Sequence, residues 1–242
     1  MPDFPRIVFF DLEGTLLRKD VRLDYGHVAP STWVAVAEAL GPKCLEDEKA
    51  TQQKWLNGEY AGYVEWMQDT IRIHQKYGLT RETFYRIVDA VEPTPGVEEA
   101  VRAVKETGAI TAIISGGFKA LADRVQRLLR IDHALCGCEY FFDEHTGLVE
   151  HYNLLPSDED GKVSFMRLIA DEHGVKEEDC VFVGDGMNDV PLAKEVGFSI
   201  AFNAQPELRE HVDACVDQEA GSEEFGEVAE LILQERRRRM GV

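Results

Sequence analysis

The stretch that decides the fold is Ile7-Val8-Phe9-Phe10-Asp11-Leu12-Glu13-Gly14-Thr15-Leu16-Leu17. Four apolar residues of high strand propensity run into a carboxylate, one apolar residue separates it from a second carboxylate, and a Gly-Thr turn follows. This pattern predicts a buried strand that breaks at its carboxyl end. In an open α/β sheet that end borders the ligand crevice, so Asp11 and Glu13 are expected there, with Gly14 letting the backbone turn beside them. An acidic strand end is also an ordinary way to meet solvent, so other stretches must decide between the two readings.

At 242 residues the chain can bury a full core, enough for one large domain or one domain carrying an insertion. Its 44% apolar and 9% aromatic content is that of a soluble globular protein. A formal charge of −19 argues against a nucleic-acid or anionic-membrane surface, which needs extended positive faces. A small phosphorylated substrate would then be drawn in by a few local cations and a metal. The five cysteines at 44, 136, 138, 180 and 215 form no CxxC pair, so neither a disulfide framework nor a zinc site is indicated. Cys136 and Cys138 flank one glycine and are expected on one strand face, in the core. No basic amino-terminal region precedes a long apolar segment, and no run approaches the ~20 apolar residues of a membrane span. A cytoplasmic, reduced protein is expected, with its oligomeric state left open.

Going outward from the first strand, residues 18 to about 90 lose strand signals almost entirely. Apolar residues recur at helical spacing in Trp33, Val34, Val36, Ala37 and Leu40, in Tyr60 to Tyr77, and in Phe84, Ile87, Val88 and Val91. This predicts an all-helical insertion over 18–90, punctuated by Gly41-Pro42, Gly58 and Gly78. Its aromatic residues Trp55, Tyr60, Tyr63 and Trp66 are expected in its core. Pro93-Thr94-Pro95-Gly96 reads as the return linker, because closely spaced prolines stop a helix and stiffen the connection. A helix over 97–107 and a strand over 109–114 follow, the strand stopping at Ser115-Gly116-Gly117, then a helix over 118–130. Residues 134–152 predict a strand and a small hairpin turning at 144–147. Helices over 162–173, 189–196 and 223–239 alternate with strands over 180–183, 198–202 and 214–216. Alternating strands and helices imply a doubly wound parallel sheet, a Rossmann-like three-layer α/β core made of 1–17 and 91–242. The run Arg236 to Arg239 closes a helix, where cations complement the macrodipole.

Three further strand ends carry polar residues in the manner of the first. Ser115-Gly116-Gly117 offers a hydroxyl and backbone amides at a helix start, an anion site in the making because first-turn N–H groups lack internal partners. Gly184-Asp185-Gly186-Met187-Asn188-Asp189 places two acids and an amide beyond a strand of four apolar residues. Lys162 lies at the start of a helix, where a cation opposes the dipole, so a compensating anion there would account for it.

In this order the four segments resemble the haloacid dehalogenase superfamily of phosphotransferases. Asp11-Leu12-Glu13-Gly14-Thr15 is similar to its first motif, Ser115 to its second, Lys162 to its third and Gly184 to Asp189 to its fourth. A helical cap between the first and second motifs resembles the subgroup that contains phosphoserine phosphatase. The family usually has Asp where this chain has Glu13; the carboxylic acid is retained on a longer stem, which changes its reach.

The resemblance implies a magnesium-dependent phosphomonoesterase. Asp11 would be the nucleophile forming an aspartyl-phosphate, and Glu13 the acid that protonates the leaving alcohol and then deprotonates water. Mg²⁺ would sit among Asp11, the Glu13 carbonyl and Asp185, with Asp189 in support. Ser115, the Gly116 amide, Lys162 and Asn188 would hold phosphoryl oxygens. Transfer of the aspartyl-phosphate to another alcohol, or a phosphate-binding regulatory protein without turnover, are the alternative readings. The substrate would be phosphoserine or another small phosphorylated metabolite. The family's phosphoserine enzymes place an acid soon after the first motif and an arginine in a cap helix after an aromatic residue. Asp20 and Arg72 are the candidates here, with Tyr63 as the aromatic. The residue at the matching interval is Thr70, two positions before Arg72, so both candidates also read as solvated cap residues.

Overall fold

In the computed structural model, which describes residues 4–23, 28–219 and 221–241, the opening stretch forms β1 (Ile7–Phe10), buried at all four residues. A two-residue ribbon follows, β2 (Val21–Arg22) antiparallel to β3 (Val28–Ala29). Next come α1 (Thr32–Leu40), α2 (Pro42–Leu56), α3 (Tyr63–Lys76) and α4 (Arg81–Ala90). The chain returns through α5 (Val97–Glu106), β4 (Ile110–Phe118), α6 (Lys119–Leu129) and the hairpin β5 (His133–Phe142) and β6 (Val149–Leu154). It continues with α7 (Asp160–Glu172), β7 (Cys180–Gly184), α8 (Val190–Ala193), β8 (Phe198–Phe202), α9 (Pro206–Arg209), β9 (Ala214–Val216) and α10 (Gly226–Met240).

Seven strands form one sheet in the order β6-β5-β4-β1-β7-β8-β9, parallel throughout except for the β5–β6 hairpin. The two-residue period of a strand divides its side chains between two cores. Val8, Phe10, Ile113, Val181 and Val183 pack on one face against α5, α6 and α10. Ile7, Phe9, Ala112, Ile114 and Phe182 pack on the other against α7, α8 and α9. The result is the expected three-layer α/β arrangement. Cys136 and Cys138 are both buried in the first of these clusters, as their spacing predicts.

The inserted helices begin where the sequence signals them. The Ser31 side chain accepts from Val34 N–H at 3.2 Å to open α1, Pro42 follows Gly41 into α2, and Thr80 accepts from Thr83 N–H at 3.2 Å to open α4. Two expectations need correction. The insertion is not wholly helical, since β2 and β3 form before α1. The strand expected to stop at Ser115 instead runs on to Phe118, with a register shift against β5 between Ser115 and Phe118. Glycine makes this possible: a Cβ on Gly137 would lie 2.6 Å from the Gly116 carbonyl oxygen, so the two backbones approach too closely for side chains. The apolar residues of the insertion, among them Ala35, Val36, Ile71, Phe84 and Ile87, join the same cluster that covers the first sheet face.

β1 lies at the centre, between β4 and β7, so the carboxyl ends of these three strands meet at one crevice.

Candidate active site

The first motif turns as soon as β1 ends. Asp11 N–H donates to the Val183 carbonyl at 2.9 Å, and the Gly14 N–H donates to the Leu17 carbonyl and the Leu17 N–H to the Leu12 carbonyl, each at 2.8 Å, folding the chain back. Gly14 has φ +89°, and a Cβ there would lie 2.4 Å from Asp185 Oδ2. Both facts require glycine, and the second shows how closely the first and fourth motifs approach.

Asp11, Asp185 and Asp189 converge at this point, each offering a carboxylate oxygen within 4.8 Å of the others. Lys162, wholly buried near the start of α7, places Nζ 2.7 Å from Asp11 Oδ1, 2.5 Å from Asp189 Oδ1 and 3.8 Å from Asp158 Oδ1. These are the anions its place at a helix start calls for. Asp189 has a second task, its Oδ2 accepting the Asp185 and Gly186 N–H groups at 2.9 and 3.0 Å. It therefore shapes the fourth-motif turn and holds Lys162 at once.

Ser115 is buried at the crevice, its Oγ accepting from Gly117 N–H at 3.2 Å and its carbonyl from Ser157 Oγ at 2.8 Å. Gly116 lies beside it, its carbonyl accepting a hydrogen bond from the Tyr63 hydroxyl of α3. Asn188 donates to Asp158 at 2.7 Å. Glu13 reaches away from the sheet, where its Oε2 accepts from the Thr32 N–H at 2.9 Å and the Thr32 hydroxyl at 2.8 Å.

The sequence-predicted Asp11, Glu13, Ser115, Gly116, Asp185 and Asn188 all line one cavity of about 540 Å³, roofed by the inserted helices. That volume suits a small-molecule ligand. Asp20 and Arg72 are not brought there. Asp20 is exposed, and it is its neighbour Lys19 that enters the cavity, Nζ 2.7 Å from Asp185 Oδ2. Arg72 is exposed, pairs with Asp69 at 2.7 Å and lines a separate depression on the outer side of α2 and α3. Thr70, two residues earlier and buried, lines the cavity instead; two residues turn a helix by about 200°.

The aromatic residues divide. Tyr63 and Trp66 line the cavity, whereas Trp55 stacks on Trp66 at 5.1 Å and the Tyr60 hydroxyl donates to Asp69 at 3.1 Å. The sequence reading also missed Lys19, Thr32, Asp158 and Trp33. Of these only Thr32 carried a signal, since Ser31-Thr32 precedes an apolar helical period and marks a helix start.

Burial raises the Asp11 carboxyl well above the usual carboxylate range, Asp189 and Asp185 add to this, and Lys162 opposes it. Burial likewise raises Asp185 against the pull of Lys19. For Lys162 burial disfavours the charged form, but Asp11, Asp189 and Asp158 outweigh it and raise its pKa. Hard carboxylate oxygens of three acids crowd at this one buried point. That donor chemistry fits a divalent cation such as Mg²⁺. Glu13 is raised by burial, with the Thr32 bonds lowering it in part, so it holds a proton more readily than an ordinary glutamate.

The sequence model of the haloacid dehalogenase-like hydrolases matches residues 5–197. Phosphoserine phosphatase of Methanocaldococcus jannaschii is 34% identical over 141 residues, which make up 58% of this chain and 65% of that protein. Phosphoserine phosphatase of Archaeoglobus fulgidus is 30% identical over 218 residues, 88% of this chain but 57% of that protein. The chain thus spans less than two thirds of the length of these two relatives. A solved phosphoserine phosphatase holding a phospho-aspartyl intermediate analogue superposes with a TM-score of 0.72 at 23% identity, covering 94% of this chain and 99% of that one. At that identity the likeness shows the shared fold. Among the described residues no helix is long and apolar enough to cross a membrane.

Proposed function

Because the chain belongs to the haloacid dehalogenase-like hydrolases, we propose that it is a magnesium-dependent phosphomonoesterase that works through an aspartyl-phosphate on Asp11. One observation carries this reading: the Asp11 carboxylate stands at the carboxyl end of the central strand, 2.7 Å from the wholly buried Lys162 and within one cluster with Asp185 and Asp189. A buried ammonium beside a nucleophile and metal-binding acids is what phosphoryl transfer needs, since its chief demand is neutralising charge around an in-line attack.

In this reading 1–17 and 91–242 form the catalytic core and 18–90 the cap. Asp11, the Glu13 carbonyl and Asp185 would hold Mg²⁺, with Asp189 supporting them. When bound, the ion supplies neutralisation of phosphoryl oxygen charge. Ser115, the Gly116 amide, Lys162 and Asn188 bind and orient the phosphoryl group. The Asp11 carboxylate attacks phosphorus and the ester oxygen departs, taking its proton from Glu13. The Glu13 carboxylate then takes a proton from water, whose oxygen attacks the same phosphorus; the bond to Asp11 breaks and inorganic phosphate leaves. The cap residues over the crevice exclude bulk water from this exchange.

The substrate is phosphoserine or another small phosphorylated metabolite, in keeping with a cavity of about 540 Å³ and with the names of the relatives above. The testing experiment is a panel of small phosphomonoesters with Mg²⁺, run on the wild type and Asp11→Asn. Phosphate release by the wild type and none by the variant is expected. Equal release by both, or none from any ester, would overturn the reading.

A further inference from the structure

Resting on the phosphomonoesterase reading, we infer that the part of the cavity walled by α1, α2 and α3 is an ammonium subsite, so that the substrate is the phosphate ester of an amino alcohol without a carboxylate. Glu48 of α2 lines this part of the cavity. Its Oε2 lies 3.1 Å from His74 Nε2 on α3, and His74 Nδ1 lies 2.8 Å from the Tyr140 hydroxyl on β5. A carboxylate only accepts, so Nε2 carries the proton and points it at Glu48. His74 is wholly buried and its ring stacks on Trp33 at 5.8 Å and 27°. An imidazole is thus fixed between sheet and cap with both nitrogens occupied, and it holds a carboxylate at the cavity wall.

The surroundings of that carboxylate suit a cation. Trp33 and Trp66 line the same cavity, and both are set in place by ring contacts: Trp33 on Phe118 at 4.0 Å, Trp66 on Trp55 at 5.1 Å. Tyr63 stands edge-on to Trp66 at 6.4 Å. A fixed carboxylate among aromatic walls attracts an ammonium through Coulomb and cation–π terms together. Glu38 lines the cavity as a second acid. Of the two lysines that line it, Lys19 is engaged with Asp185 and Lys49 is solvent-exposed. Arg72 pairs with Asp69 elsewhere. A substrate carboxylate placed against Glu48 would meet a like charge, and neither lysine that lines the cavity is buried beside it to offset that charge.

The test compares phosphoethanolamine, glycerol 3-phosphate and phosphoserine on the full chain with Mg²⁺, in the wild type and Glu48→Gln. Phosphoethanolamine is expected to exceed both others in kcat/KM by tenfold or more. In Glu48→Gln the loss on phosphoethanolamine should exceed the loss on glycerol 3-phosphate by about tenfold, carried by KM. Binding is read independently by inhibition of p-nitrophenyl phosphate turnover, where 2-aminoethylphosphonate should inhibit at least tenfold more tightly than propylphosphonate. Equal inhibition by the two phosphonates, or wild-type preference for glycerol 3-phosphate or phosphoserine, would overturn the ammonium subsite. If p-nitrophenyl phosphate were still hydrolysed in an Asp11-dependent way, the phosphomonoesterase reading would survive that result. Absence of any Asp11-dependent hydrolysis would overturn both.

Discussion

Glu13 Oε2 accepts two hydrogen bonds from one residue, the N–H of Thr32 at 2.9 Å and its hydroxyl at 2.8 Å. Thr32 opens α1, so the acid of the first motif is anchored on the first helix of the cap. The longer stem of glutamate makes this reach. A donor pair of this kind favours the ionised form, against burial, which favours the protonated one.

Removing the pair in Thr32→Val should therefore raise the Glu13 pKa further and loosen its aim. The expected result is about a tenfold lower kcat on an alkyl phosphate, within the usual span for proton transfer by a positioned group. The falling limb of the pH profile should move to higher pH. A profile that keeps its limb in place would remove Thr32 from the positioning role.

Glu13 is raised above the ordinary glutamate range, and in the proposed mechanism it must be protonated to assist the leaving alcohol. The first chemical step should be fastest below its raised pKa and should slow as pH rises through it. Glu13→Gln should abolish that limb and cost about 10²–10⁴-fold on alkyl esters. p-Nitrophenyl phosphate, whose phenolate leaves without a proton, should lose less in the formation step. Equal losses on both esters, measured by single-turnover kinetics, would take Glu13 out of the acid role.

Lys162 is wholly buried between Asp11 and Asp189. Lys162→Met should destabilise the fold by about 3–5 kcal/mol, because it strands buried carboxylates without their partner. Lys162→Met combined with Asp189→Asn should be more stable than Lys162→Met alone. Urea denaturation measures both differences, and a single variant as stable as the wild type would contradict the pairing.

Burial raises the Asp11 and Asp185 carboxyls, and with Asp189 they crowd carboxylate oxygens within 4.8 Å of one another. A hundredfold excess of Mg²⁺ over its Kd should stabilise the protein by about 2.7 kcal/mol, roughly 5–10 °C in Tm at this chain length. Asp185→Asn should lose most of that shift. A Tm unmoved by Mg²⁺ in the wild type would speak against this cluster as the metal site.

Much of this site was legible in the sequence, for a physical reason. Ile7 to Phe10, Ile110 to Ile114 and Cys180 to Val183 are short, mostly apolar runs of high strand propensity that read as buried strands, and a parallel sheet gathers their carboxyl ends. Asp11, Ser115 and Asp185 therefore met without any knowledge of loops. Lys162 was legible as an electrostatic anomaly at a helix start. The cap was less legible, because which face of a helix looks inward depends on how it docks. Thr70 and Arg72 show this, being two residues apart and on opposite sides of α3. Lys19 and Asp158 lie in connections, where sequence period says nothing about direction. Tyr63 and Trp66 read as core and are partly so, since the wall of this cavity is also the packing of the cap.

The central claim, that Asp11 becomes covalently phosphorylated, is tested most directly by acid-quenching the wild type during turnover of ³²P-labelled phosphomonoester and mapping the label. Acid-stable, hydroxylamine-labile label on the peptide containing Asp11, absent from Asp11→Asn, is the expected result. Turnover with no protein-bound label under single-turnover quenching, or label that persists in Asp11→Asn, would contradict it.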